Sequence, residues 1–492
     1  MVLYAIMKII SKGLSLLLLL SAVSCLLAAG LSGCSSVHNA REVQAELSAK
    51  GCDCAVLCAT SRVDLRSATL ADLVGFALTN RPSIAQKVLA VDDARQQMRE
   101  IASTAPVLSE TPWTALKATL SGSHSESTEA MRRNDANWHT DGGASALVSL
   151  DLLLWDFGSY DARASAQAEQ VVAAELELQS EVFAVCRETA VAWFNFLEQR
   201  ALLGVAMTNE VQYADHLASA QARFDAGEVN KLDVLKARLD LAAARQKVVA
   251  VSNGVDTTGA ALMQALGIDA SRGTVAEVVG AGSLPVNSVR RGFATTTETV
   301  GEAFAFARTN APAVRVARAR LRAAAHNVDY AIANLMPSVS ASASLRWADP
   351  FWYWSWGFSA VQSLYEGGRK VTAVDRAVIA LEEASVGVDD VEQRLSLALE
   401  TAVANRDNAK EALVSAQASI RSARENLETV REQFAIGSSD RIELSDAIAS
   451  DSRARGDCIS AFYDGQRAEA ALFEILGVPP MFTEELVKGD VK

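Results

Sequence analysis

The chain repeats its own plan. Phe224-Asp225-Ala226-Gly227 returns as Phe434-Ala435-Ile436-Gly437, Leu266-Gly267-Ile268 as Leu476-Gly477-Val478, and Trp155-Asp156-Phe157-Gly158 as Tyr365-Glu366-Gly367-Gly368, each time 210 residues later. Upstream, Thr79-Asn80-Arg81-Pro82 matches Thr309-Asn310-Ala311-Pro312 at 230, and Pro106 matches Pro337 at 231. One offset held over more than 110 residues marks a duplication whose halves differ upstream in loop length. Any fold for this chain must be buildable twice from one unit.

That unit is mostly helical. A short helix (about 69–80; 299–310) ends at Asn80 or Asn310. Pro82 and Pro312 then open a second helix, running to about 104 and 335, because a first-turn N–H is unpaired in any helix and its loss costs nothing. Pro106 and Pro337 close it. Residues 159–222 and 369–432 are free of Pro and have only Gly204 and Gly387 as interior glycines. Some 60 residues at 1.5 Å each would span roughly 90 Å. Companion helices over 229–266 and 439–476 return after tight turns at the Phe-x-x-Gly sites. Val171, Leu178, Val185 and Ala192 recur every seven residues, as do Leu381, Val388, Leu395 and Ala402, which is the coiled-coil period.

Between the short and the long helices each half carries two strand-like segments. In the second half these are Ser338–Trp347 and Trp354–Leu364. Val339, Ala341, Ala343, Leu345 and Trp347 alternate with Ser338, Ser340, Ser342, Ser344 and Arg346, the period of a strand with unlike faces. In the first half, Trp113–Leu120 and Ala144–Leu154 are the candidates, with a less regular alternation. Four of the eight Trp lie between 347 and 356. Trp347, Trp352, Tyr353, Trp354 and Trp356 therefore gather at one hairpin end, as interfacial aromatics do in membrane barrels. Four strands cannot close a barrel, and lipid leaves no edge unpaired, so the chain is expected to oligomerise. A soluble hairpin is the alternative.

Composition narrows the function. A formal charge of -13, from 46 basic and 59 acidic residues, argues against nucleic acid as a partner. There are 5 His and no His-Glu-x-x-His, phosphate-binding G-x-x-x-x-G-K-[ST] or G-x-G-x-x-G motif. No nucleophile, base and orienting group fall at recognisable spacing, so no enzyme, cofactor or metal centre is expected.

Lys8 and Lys12 precede an apolar run from Leu14 to Ala29, and Leu31-Ser32-Gly33-Cys34 follows. This describes a secretory signal over 1–33, too short for a spanning helix, with Met1 or Met7 as its start. The ending resembles the bacterial lipobox, which implies cleavage before Cys34 and covalent lipid on it. Ser35 in place of Asp implies passage to the outer membrane. Cys52, Cys54 and Cys58 are closely spaced, but three thiols without a fourth ligand are a weak metal signal.

The helix-turn motif Arg223-Phe224-Asp225-Ala226-Gly227, followed by Leu232-Asp233-Val234-Leu235-Lys236-Ala237, resembles that of the TolC-like outer-membrane efflux proteins, in particular their lipid-anchored drug- and metal-efflux branch. Pro337-Ser338-Val339 and Leu364-Tyr365-Glu366-Gly367-Gly368-Arg369 are similar to the family's helix-to-strand and strand-to-helix junctions. The second copy departs from the motif, with Gln433 for the basic residue and Ile442-Glu443-Leu444-Ser445-Asp446-Ala447 for the Leu-Asp-Val-Leu core.

The resemblance implies a mainly α, internally duplicated homotrimer. Its coiled-coil hairpins would form a periplasmic α-barrel beneath a 12-stranded membrane β-barrel to which each chain gives four strands. The implied organisation is an anchored extension (34–65), a first repeat (66–268; strand pair 113–154, hairpin 159–266), a linker (269–298), a second repeat (299–478; strand pair 338–364, hairpin 369–476) and a tail (479–492). The implied function is a passive exit duct for drugs or metal ions, working with a periplasmic adaptor and a proton-driven or ABC inner-membrane pump. Arg223, Phe224, Gly227, Phe434 and Gly437 would be tips that meet the adaptor. Leu232, Leu235 and Ala237 would pack the hairpin against its neighbour, and Asp225, Asp440 and Asp446 are candidate pore acids. Two readings stand beside this one: a channel for type I protein secretion, and a non-conducting lipid-anchored coiled coil.

Overall fold

The computed structural model describes residues 70–103, 116–125, 141–227, 229–268, 300–348, 351–436 and 438–478. The signal, Cys34, the Cys52/Cys54/Cys58 group, the linker, the tail and Gly437 lie outside the described residues. The first repeat runs α1 (Leu70–Asn80), α2 (Pro82–Ala102), β1 (Leu116–Ser125), β2 (Asp141–Trp155), α3 (Ser159–Asp225) and α4 (Lys231–Ala265). The second runs α5 (Val300–Asn310), α6 (Pro312–Ala333), β3 (Ser338–Ala348), β4 (Phe351–Val361), α7 (Arg369–Ala435) and α8 (Arg441–Leu476). The long helices α3 and α7 are each 67 residues, roughly 100 Å of helix. Each extends three residues further than the sequence suggests, to the Phe-x-x-Gly turn itself.

Local chemistry sets these boundaries. Pro82 and Pro312 occupy the first turns of α2 and α6. Gly158 and Gly368 precede α3 and α7 with φ of 86° and 80°. Asp440 and Glu443 form a reciprocal capping box at the start of α8. At the far ends of the hairpins, Gly267 and Gly477 take φ of 75° and 67° and press against the α1–α2 and α5–α6 elbows. In each repeat the hairpin terminus therefore rests on an Asn-x-Pro elbow.

Helix contacts run in the order α4, α3, α8, α7, so that each repeat's hairpin is joined to the other through α3 and α8. The heptads persist along this row. Leu395, Ala402, Ala409, Ala416 and Ala423 are buried every seven residues on α7, and Val185, Ala206, Tyr213 and Ala220 occupy the matching positions of α3. Small residues here let backbones approach closely. The core is a series of patches: one around Leu73, Phe76, Trp193, Phe194, Leu262 and Tyr463, its second-repeat counterpart around Ala307, Val314, Leu399 and Leu472, and one near the tips.

Helix α6 lies between α3 and α7 and is pinned by ion pairs to both. Arg318 meets Glu392 at 2.9 Å and Arg322 meets Glu169 at 2.8 Å, while Arg320 shares Glu177 with Lys87 of α2. Partial burial alone would raise the carboxyls of Glu177 and Glu392. The hydrogen bonds from Lys87 and Arg320, and from Arg318 and Arg308, hold both below the usual carboxylate range instead.

The four strands form one antiparallel sheet ordered β1-β2-β3-β4, with the two repeats joined by pairing of β2 to β3. Its register sorts residues onto two faces. One carries Leu116, Ala118 and Leu120, then Ala146, Val148, Leu150 and Leu152, then Val339, Ala341, Ala343, Leu345 and Trp347, then Trp352, Trp354, Trp356 and Phe358. The other is mostly polar, with Ser340 and Ser344 hydrogen-bonded to Ser359 and Ser355 at 2.8 Å.

Candidate functional site

Two regions carry chemistry that the helical core does not need: the hairpin tips and the apolar face of the sheet. At the tips, Arg223 in the last turn of α3 donates through Nη2 to the Phe434 carbonyl at 3.0 Å, and its guanidinium lies 4.4 Å from the centre of the Phe434 ring. His216, about two turns back from Arg223 on α3, meets the same ring edge-on with centroids 5.8 Å apart. One turn further, the Tyr213 hydroxyl donates to the Ser445 carbonyl at 3.4 Å. The two tips are thus tied to each other by one repeat's side chains reaching the other's backbone.

A second tie crosses from α8 to α4. Arg441 places Nε 3.5 Å from Asp233 and Nη1 3.5 Å from Asp240, and it is largely buried. Between these cations sits His216, 5% exposed, with neither ring nitrogen hydrogen-bonded. Its burial, reinforced by Arg441 and Arg223 and opposed by Asp240, depresses its proton affinity below the ordinary histidine range.

The residues expected at the tips separate. Phe224 is 37% exposed at the end of α3, whereas Phe434 is half-buried under Arg223. Gly227 adopts φ 80° with open space around it. Leu232 and Leu235 are exposed on α4, and Ala237 is fully buried within the chain. Of the candidate acids, Asp440 is committed to capping α8, Asp225 accepts a hydrogen bond from Gln221 at 3.0 Å, and Asp446 is exposed. His216, Arg441 and Asp240 escaped sequence reasoning, although Asp233 lies inside the motif that Arg441 grips.

The aromatic run falls within β4, which begins at Phe351, and occupies the half of the strand nearest the turn. Because a strand alternates, Tyr353 pairs with Arg346 on the polar face, while Trp352, Trp354 and Trp356 line the apolar face from the turn to mid-strand. Trp354 is 75% exposed. An apolar sheet face of this extent, left uncovered, needs an apolar medium or a partner.

Among the described residues no helix is long and apolar enough to cross a membrane, and no group of three or more His, Cys, Asp or Glu gathers as a metal site. An open groove beside α4, lined by Arg187, Glu188, Asn195, Thr258 and Gln264, holds no catalytic constellation.

Comparison with known proteins gives these features a context. Residues 73–268 and 306–478 match the family model described as outer membrane efflux protein. The outer membrane efflux protein BepC of Brucella suis biovar 1 (strain 1330) is 22% identical over 308 residues, which cover 61% of this chain and 64% of BepC. The matched stretch thus spans less than two thirds of that relative's length. Among solved structures, one of CusC, from work on folding and transmembrane channel formation, superposes with a TM-score of 0.72 at 20% identity, covering 85% of this chain and 93% of the other. A membrane protein from Pseudomonas aeruginosa gives 0.71 at 21%, covering 84% and 91%. The open state of the MtrE outer membrane channel of Neisseria gonorrhoeae gives 0.69 at 18%, covering 83% and 89%. At these identities the structural likeness concerns the fold.

Proposed function

The chain belongs to the outer membrane efflux protein family, and from that premise we propose that three copies close into one duct, with a 12-stranded barrel in the membrane and the long hairpins forming a tube below it. Its place is the outer membrane and its work is efflux transport; as a channel protein it is not an enzyme.

The observation that carries the proposal is the sheet. One face is apolar on every strand save for His124 near the end of β1, the other is rich in serine, and β1 and β4 are its margins. With an even number of antiparallel strands, β4 of one copy runs antiparallel to β1 of the next, so pairing continues without a reversal of direction. Closure satisfies the edges that lipid would leave unpaired, turns the apolar face to acyl chains and leaves the serine face lining water. The helical row has matching margins, α4 and α7, on which Leu232, Leu235, Leu239, Val371, Ile379 and Val386 are exposed. These would meet between copies. A non-conducting rod would have no use for such a sheet.

In this reading Cys34 carries the lipid anchor, and residues 34–65 follow it as an extension. The tips, with Arg223, Phe224, Gly227, Phe434 and Gly437, meet a periplasmic adaptor bound to an inner-membrane pump that supplies the energy. Drugs or metal ions are the cargo. Asp225 and Asp446, brought together from three copies, would place a cation-favouring ring at the inner mouth, with Asp440 held back in its cap. The test is reconstitution of the full-length protein into planar bilayers. Stepwise, cation-favouring conductance is expected, and an absence of conductance from protein shown to be inserted would contradict the reading.

A further inference from the structure

One buried side chain at the tips has no work in the fold. His216 of α3 faces Phe434 of α7, Arg441 of α8 and Asp240 of α4, and neither of its ring nitrogens is hydrogen-bonded. A neutral imidazole carries one donor and one acceptor. Burying both unpaired costs free energy that a phenyl ring of similar size would not. The duplicated plan does not ask for histidine either. At the 210-residue offset the second repeat has Asn426 in its place, exposed. Arg223 likewise has Gln433 as its counterpart, and Asp240 has Ser450. The cluster is therefore built once per chain.

The charges around His216 come from three helices. On α3 itself, Arg223 shares the Phe434 ring with it. On α8, Arg441 is held by Asp233 and Asp240 of α4 at 3.5 Å each. Asp446, also on α8, acts on the neighbouring Tyr213. To the adjoining cluster α7 contributes Leu427, Val430 and Phe434, all apolar. With His216 neutral, two guanidiniums face the two α4 carboxylates. One proton more makes three cations for the same two acids. Arg441 is the cation least able to stay, because it opens α8, where the helix dipole already opposes a positive charge. Asp240, which attracts His216 as well, is half of what holds it.

We propose that His216 is a proton-operated latch: when it takes a proton from water it draws Asp240 away from Arg441, the start of α8 parts from α4, and the inner end of the tube opens in mild acid. The inference rests on the reading of the chain as a duct. In the closed cluster, burial, Arg441 and Arg223 keep the imidazole neutral below the ordinary histidine range, with Asp240 opposing them. Parted tips return the ring to water and to its ordinary value of about 6.5. Opening therefore takes up a proton. The advantage of the closed state is complete above that value and is lost progressively as pH falls from there towards the lower, closed one.

The test uses single channels of the full-length protein in planar bilayers, with the pH on the side of the hairpin tips lowered from about 7.5 to about 5.5, across the histidine range. In the wild type the ratio of open to closed time should rise, by up to about tenfold per pH unit for each proton bound. His216→Phe keeps the ring volume and His216→Gln keeps a polar group, and neither can titrate. In both, the change in that ratio over the same range should shrink to less than about twofold. A wild-type ratio that does not move with pH, or a rise retained in either variant, overturns the latch and leaves the duct standing. No conductance at any pH from protein shown to be inserted overturns the duct, and the latch with it.

Discussion

Replacing Gly477 by alanine probes the joint on which each repeat rests. At φ 67° an L residue costs about 1 kcal/mol before anything is touched. The added Cβ would also lie 2.9 Å from the Asn310 carbonyl oxygen, 2.9 Å from Pro312 Cδ and 3.1 Å from Ala311 Cα. These atoms belong to backbone and to a proline ring, so relief requires moving the α5–α6 elbow away from the hairpin end, an overpacking cost of about 1–3 kcal/mol. The sum is about 2–4 kcal/mol. Gly227→Ala is the control, since it has φ 80° and nothing within 4 Å of the new atom, leaving only the backbone cost of about 1 kcal/mol. Gly267→Ala, with its nearest contact at 3.0 Å, should fall between them. Denaturant unfolding of the detergent-solubilised protein, followed by far-ultraviolet circular dichroism, measures all three on one scale. Equal losses at Gly477 and Gly227 would show that the elbows do not bear on the hairpin ends.

Three further outcomes are expected. His216 is depressed by burial, Arg441 and Arg223, and Asp240 opposes them. Its contribution is complete above the unfolded value near pH 6.5 and is lost as pH falls towards the folded one, at up to about 1.4 kcal/mol per pH unit. His216→Phe should remove that mild-acid loss in the same unfolding assay, and an unchanged pH profile would contradict it. Arg441→Ala frees Asp233 and Asp240 from α8 and should raise single-channel conductance in planar bilayers, whereas conductance at the wild-type level would show that this tie does not restrict the inner end. The Cβ that Gly227→Phe adds has nothing within 4 Å, so assembly should survive while cross-linking to the adaptor drops; wild-type cross-linking would count against the tip as a contact surface.

The duplication, the helix lengths and the elbows were legible because each rests on local chemistry: Pro in a first turn, Gly beyond a last one, and a seven-residue apolar period. The first half's strands read less cleanly for two reasons. A bulge between Leu153 and Trp155 shifts the alternation, and Leu147 stands on the mostly polar face, opposite Arg346. The expected β4, Trp354–Leu364, lies three residues too far along the chain at both ends, because consecutive Trp352, Tyr353 and Trp354 hide a period of two that only cross-strand pairing reveals. At the tips, Phe224 and Phe434 are equivalent in sequence and unlike in environment. What separates them is Arg223 and His216, side chains of one repeat packed on the other, and a contact between residues some 210 apart has no local signal.

The central claim is closure of the sheet between copies. With the other cysteines replaced, paired cysteines on β1 (Thr119, Ser121 or Ser123) and on β4 (Ser355) should, in one register, oxidise in membranes to a covalent ladder that stops at three chains. A ladder ending at two, one that grows without limit, or intact single chains at every pairing would contradict it.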